Sequence, residues 1–181
     1  MLRRYSPVVA AAALLLLLDQ LSKSWAVSEL CSALNPHPGC RPNVEVALGL
    51  ELRLAFNQGM AFSRFSSSGP IIGLIALAIV AVLLWFSRQL QGLWPRVVVG
   101  IVIGGALGNL ADRVFRSPAP GNPSGFMRGA VVDFLWTSWW PTFNVADAAV
   151  VCGGIVLAIV AWRLPDPDGP RARHDEVPVE R

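Results

Sequence analysis

The chain has 181 residues, of which 54% are hydrophobic and only 15% charged, with a mean hydropathy of +0.51. These values disfavour a soluble domain, whose charged fraction is nearer a quarter, and exclude a disordered chain, which carries far less apolar residue. The formal charge of +3, from 15 basic and 12 acidic residues, has no Lys/Arg run behind it, so nucleic acid is not expected as a partner.

Four apolar stretches approach the ~20 residues that a helix needs to cross ~30 Å of hydrocarbon. They run from Val8 to Val27, Pro70 to Phe86, Val97 to Ala111 and Phe143 to Trp162, the third reaching useful length if it extends to Val114. Gly100, Gly104, Gly105 and Gly108 dilute that third span, and small residues let helices approach closely in lipid, which predicts a central position for it. Length indicates a single domain over 1–163.

Arg3 and Arg4 before the first apolar run would suit a cleavable signal peptide. Asp19 and Lys23 interrupt the run, however, and no small-x-small cleavage site follows, so an uncleaved span is expected. Ser28 to Cys31, reading SELC, is not a lipoprotein box, because Leu30 stands where a small residue is wanted. With the N-terminus inside, eight arginines lie on the inner side against six on the outer, and the inner ones sit in short segments. Both termini are therefore expected in the cytoplasm, with a disordered tail over 164–181 rich in Pro, Asp and Arg.

Cys31 and Cys40 fall in the first outer loop, where an oxidising exterior allows a disulfide and free thiols remain open. Cys152 reads as a small packing residue. His37 and His174 are the two histidines, and no Cys/His grouping has metal-ligand spacing, so neither a metal nor another cofactor is expected. From Val44 to Phe56 apolar residues alternate with Glu45, Glu51 and Arg53, the period of a strand or hairpin, with Gly49 marking a bulge or bend. A hairpin alone is marginal in water, so this sheet is expected on the membrane surface.

Ionisable groups within a span are costly, and a functional role is the default hypothesis for them. Asp19 and Lys23, four apart, share a helix face and can pair; they hold the fold, line a site or carry chemistry. GGALGNLADRV places Asn109, Asp112, Arg113 and Arg116 on one face, where a polar helix end at the headgroups is the bland alternative. Asp133 follows a β-branched pair in VVDFLW, and Asn144 and Asp147 stand three apart at the opening of the fourth span. A lone carboxylate there could be an ordinary helix-start acid. Asp112, Asp133 and Asp147 from separate segments, all near the outer interface, are harder to dismiss.

Two neighbouring carboxyl groups share one proton and titrate as a unit. One member can then take a proton from water while the other protonates a carbonyl oxygen, which hydrolyses an amide without metal or covalent intermediate. No Ser/His or Cys/His pair competes, because neither histidine lies near a span.

DQLSK (Asp19 to Lys23), FNQGMAF (Phe56 to Phe62), GGALGNLADR (Gly104 to Arg113), VVDF (Val131 to Phe134) and FNVAD (Phe143 to Asp147) occur in the order seen in the bacterial lipoprotein signal peptidases, also called signal peptidase II. The chain resembles that family over roughly Asp19 to Gly154. The resemblance implies an aspartic endopeptidase of the inner membrane: a four-transmembrane-helix, all-α bundle with a small extracytoplasmic β-sheet, or cradle, at 44–62. It implies catalytic aspartates at Asp133 and Asp147, with Asp19, Lys23, Asn57, Asn109, Asp112, Arg113 and Asn144 supporting the site or contacting substrate. The implied partners are membrane lipid and a diacylglyceryl-modified prolipoprotein, cut just before its lipidated cysteine. Two stretches depart from the family's usual pattern. The connection between Arg113 and Asp133 is longer and richer in Pro and Gly, either a lid or a tolerated insertion over 116–129, and the Pro-rich stretch with Cys31 and Cys40 is no family hallmark.

Two other functions remain to be separated from this one. A small proton-coupled transporter would use Asp19, Lys23, Asp112 and Asp147 as a relay, yet the second span and Leu14 to Leu18 are wholly apolar. A structural subunit would use the same polar residues to grip a partner helix.

Overall fold

The computed structural model describes residues 2–59 and 69–163. The expected tail and residues 60–62 of the expected cradle lie outside these. Among the described residues, four helices are long and apolar enough to cross a membrane: α1 (Leu2–Glu29), α2 (Gly69–Ser87), α3 (Leu93–Phe115) and α4 (Val145–Arg163). α1 begins at Leu2, six residues ahead of its apolar run, and α2 one residue ahead at Gly69; the other two starts differ for local reasons. α3 begins at Leu93 rather than Val97, since Pro95 is tolerated within a first turn. α4 begins at Val145 rather than Phe143, because Asn144 caps it.

Indole side chains mark both ends of the bundle. Trp85, Trp94 and Trp162 are exposed at one end and Trp25, Trp139 and Trp140 at the other, an arrangement suited to two membrane–water interfaces. Between them α3 is central: 56% of its most apolar window is buried, against 17% in each of the other three helices. The glycines explain this. A Cβ on Gly100 or Gly104 would stand 2.5 Å from the Val8 carbonyl oxygen or 2.6 Å from that of Ala12, both on α1, and one on Gly105 would stand 2.7 Å from the Ala146 oxygen on α4. Backbone-to-backbone contact of this kind is the usual basis of helix association in lipid. Away from the sheet, Val8, Ala12, Val80, Val99 and Ile103 fill the space between α1, α2 and α3.

At the other end sits a four-stranded antiparallel sheet in the order β1 (Val44–Ala47), β2 (Leu50–Asn57), β3 (Val131–Thr137), β4 (Trp140–Phe143). The thirteen-residue alternation of the sequence is thus a hairpin, turned at Leu48 and Gly49, both with positive φ (53° and 76°), as a two-residue turn requires. β3 and β4 were not evident from the alternation. β3 pairs with β2, a partner far upstream, with Ala55 opposite Asp133 and Asn57 opposite Val131. An irregularity between Leu52 and Ala55 resets the register. Leu54, Val132 and Phe134 pack on Ala26 and Leu30, and Trp25 meets Phe134 edge-on at 6.5 Å, so the sheet is seated on the end of α1.

Cys31 and Cys40 form a disulfide with Cα atoms 5.2 Å apart. The long connection after α3 is tied at its base, Gly129 N–H donating to the Arg113 carbonyl and Ala130 N–H to that of Ser117. Its buried Met127 fills the notch left by Gly69 and Gly73 on α2.

Gly104→Ala must push α1 from α3 and is expected to lower the unfolding temperature in detergent by roughly 2–10 °C, as overpacking of about 1–3 kcal/mol would. Gly154→Ala, with open space around it, is the control and should leave that temperature within about 1 °C.

Candidate active site

The site is built where α3, β3 and the start of α4 meet. FNVAD makes a reciprocal cap: the Asn144 Oδ1 accepts the Asp147 N–H at 3.0 Å, and the Asp147 Oδ2 accepts the Asn144 N–H at 3.1 Å. This fixes Asp147 in the first turn of α4, at the positive end of the helix dipole. The fully buried Asn144 also donates through Nδ2 to Asp133 Oδ1 at 2.7 Å. One asparagine therefore touches both carboxyl groups.

The remaining oxygens are held as well. Asn57, at the end of β2, donates to Asp133 Oδ2 at 3.0 Å, and Asn109 of α3 donates to Asp147 Oδ1 at 2.7 Å. Each of the four carboxyl oxygens thus accepts a hydrogen bond from an amide. Asp133 is 2% exposed, and its pKa is pushed up to about 7, first by burial and then by the charge of Asp147, with the Asn57 and Asn144 hydrogen bonds opposing.

Below this pair lies a buried ionic cluster. Lys23 Nζ, fully buried, meets Asp19 at 2.7 Å, Asp112 at 2.9 Å and the Asn109 Oδ1 at 2.9 Å, which uses all three of its protons. Asp19 Oδ1 accepts the Ala146 N–H at 3.0 Å, and Asp112 Oδ2 accepts the Val132 N–H at 3.2 Å. The first contact anchors the N-terminus of α4, and the second anchors β3 one residue before Asp133. Arg113 is 6% exposed, faces the same cavity, and leaves its Nη1 without a hydrogen-bond partner among the described residues.

All nine residues singled out from the sequence therefore occupy one region. Two further residues join them: Arg116, which the sequence already set on the face of Asp112, and Gln20, which it did not single out. Gln20 Nε2 reaches Asp112 Oδ1 at 3.2 Å and the Gly108 carbonyl at 3.1 Å, and Arg116 pairs with the same Asp112 Oδ1 at 2.7 Å. The signal for Gln20 is its place beside Asp19 in DQLSK.

A groove of about 540 Å³ runs from this cluster between α2, α3 and α4, lined by Asn57, Asn109, Arg113, Asp133 and Asp147 at its polar end and by Ile72, Ile75 and Ile79 along α2. Such a shape can hold an extended or helical apolar chain with its polar backbone turned toward the carboxylates.

The profile of the Signal peptidase (SPase) II family matches residues 11–163. The chain belongs to that family. It is 40% identical over 160 residues to the lipoprotein signal peptidase of Rhodococcus jostii, covering 88% of this chain and 74% of that one. It is 38% identical over 159 residues to that of Mycobacterium avium, covering 88% and 80%. Among solved structures, a bacterial membrane enzyme determined by the in meso method at 1.9 Å shares the fold, with a TM-score of 0.66 and 24% identity over 88% of this chain and 94% of that one.

Lys23→Met leaves Asp19 and Asp112 buried without their common cation. It is expected to cost about 3–5 kcal/mol of stability, read as early unfolding in detergent, whereas a surface Arg53→Met should cost less than about 1 kcal/mol.

Proposed function

We propose that this chain removes the signal peptide from diacylglyceryl-modified prolipoproteins by aspartic catalysis, cutting before the lipidated cysteine. The observation that carries the reading is the pair Asp133 and Asp147, brought from a strand and a helix to one buried asparagine in a chain of the signal peptidase II family.

The two carboxyl groups have unlike environments, and the difference assigns their roles. Asp133, buried and raised to about 7, is the member that holds the shared proton in this reading. Asp147 faces the N-terminal amides of α4 as the carboxylate. Asp147 takes a proton from a water molecule whose oxygen attacks the scissile carbonyl, while Asp133 gives its proton to the carbonyl oxygen. The tetrahedral diol then collapses: Asp133 recovers a proton from a hydroxyl, Asp147 passes its own to the departing amine, and the pair returns to its starting state. Asn57, Asn109 and Asn144 hold the carboxylates in register, and the Arg113 Nη1, without a partner among the described residues, is available to hydrogen-bond a substrate carbonyl.

We further infer that both termini are cytoplasmic and that the sheet end faces outward. The disulfide at that end supports this, since such bonds persist in oxidising compartments. A scissile bond beside a lipidated residue lies near the headgroups, the depth of the sheet end. The transporter alternative is not supported by a family of signal peptidases, and among the described residues Val8, Ala12, Val80, Val99 and Ile103 pack an apolar core between α1, α2 and α3 away from the sheet.

The purified chain in detergent, with no other subunit, is expected to cut a diacylglyceryl-modified precursor and to leave the unmodified one intact. Asp133→Asn and Asp147→Asn should each lower turnover by about 10³-fold or more while the protein still inserts. Normal turnover by either variant would refute the assignment.

The raised Asp133 also predicts a pH dependence with a definite sign. Its folded form binds the proton more tightly than the unfolded chain does, so the contribution of Asp133 to stability is full below about pH 4 and is lost by about pH 7. Cleavage should likewise fall as pH rises through about 7, when the shared proton is lost. Thermal unfolding at pH 5 and pH 8 should show the difference in wild type and lose it in Asp133→Asn.

A further inference from the structure

A second groove, of about 320 Å³, adjoins the one between α2 and α4 and shares Asp147 and Val151 with it. Trp139, Trp140 and Phe143, from the end of the sheet, form one wall, and Ala148, Val151 and Cys152, from the first two turns of α4, form the other. The β3–β4 turn therefore folds back beside the first two turns of α4. Trp139 and Trp140 are 79% and 52% exposed there, and Cys152 is exposed as well.

The two grooves differ in what they can satisfy. A peptide in a dry environment must have its N–H and C=O groups paired. The larger groove supplies Asn57, Asn109, Arg113 and both carboxylates for that. The smaller one offers, among its lining side chains, Asp147, the buried Thr137 hydroxyl, the Cys152 thiol and the indole N–H groups, a set poorly suited to pairing a peptide backbone. A hydrocarbon chain has no polar group to satisfy.

Resting on the peptidase reading above, we infer that this second groove seats an acyl chain of the substrate's lipidated cysteine. The lipid branch leaves the substrate at the residue next to the bond that is cut. Its seat must therefore start at the carboxylates and lead away from the peptide's path. The groove between the sheet end and α4 suits both conditions: Asp147 and Val151 belong to both grooves, whereas Trp139, Trp140, Phe143 and Cys152 line this one alone, and Trp139, Trp140 and Cys152 are exposed. The division also suits the chemistry: the lipid anchors the leaving-group side while the signal peptide occupies the other.

The test uses a precursor with a diazirine at the end of one acyl chain, bound to full-length Asp133→Asn protein in detergent and irradiated. Labels are expected on the segment 137–152. Labels confined to α2 would overturn the proposal, and so would equal labelling of 137–152 by a diazirine phosphatidylcholine, which would mean that bulk lipid fills the groove. A second measurement compares precursors carrying two palmitoyl or two acetyl groups. Cys152→Trp narrows the groove and should lower kcat/KM for the dipalmitoyl precursor about tenfold relative to the diacetyl one. An unchanged ratio would overturn the proposal. Should wild-type protein cut neither precursor, the peptidase reading itself falls, an outcome distinct from cleavage with an unchanged ratio.

Discussion

The buried ammonium of Lys23 is the constraint around which the sheet end is arranged. A cation there is tolerated because Asp19, Asp112 and Asn109 accept its three protons. Each of these acceptors has another task. Asp19 holds the N-terminus of α4, Asp112 holds β3, and Asn109 donates to Asp147. The ion cluster therefore sets the relative position of three helices and one strand. Asp133 and Asp147 inherit their geometry from it, although Lys23 hydrogen-bonds to neither.

Much of this was readable along the chain because it is local. The four spans follow from apolar runs of membrane length, and the partnership of Asp19 with Lys23 follows from helical spacing. Asn144 and Asp147 were visible as residues on one face, and their reciprocal capping is the same spacing read at a helix start. What escaped was non-local. β3 is a seven-residue run, VVDFLWT, interrupted by an acid, and its identity as a strand comes from pairing with β2 across two intervening helices. Neither the seat of Met127 against Gly69 and Gly73 nor the reach of Gln20 to Asp112 leaves a periodic signal. The pairing of Cys31 with Cys40 was one of two open possibilities, decided by how the loop after α1 folds back, with Arg41 N–H donating to the Glu29 carbonyl.

The sheet does more than cover the bundle. By resting Leu54, Val132 and Phe134 on the end of α1, it carries Asp133 inward over the helices, where burial raises its proton affinity. By folding its far end beside α4, it builds the wall of a second groove at Asp147. One element thus supplies an acid, a donor to that acid in Asn57, and an aromatic groove wall.

The glycine stripe on α3 and the ionic cluster are parts of one device. Gly100 and Gly104 bring α1 to backbone contact, and that proximity lets the short Asp19 side chain reach across to the Ala146 amide of α4. At Gly108 the same face meets the Asp19 carboxylate itself, in the space where any side chain would place its Cβ. A methyl group there would displace Asp19 from both Lys23 and the α4 N-terminus, and Asp147 stands one residue beyond that contact. In a bilayer, where apolar surfaces gain little from meeting one another, the helices need a reason to pack at one depth only. Close contact through the glycines supplies proximity, and the buried charges, satisfied in a single arrangement, supply the register.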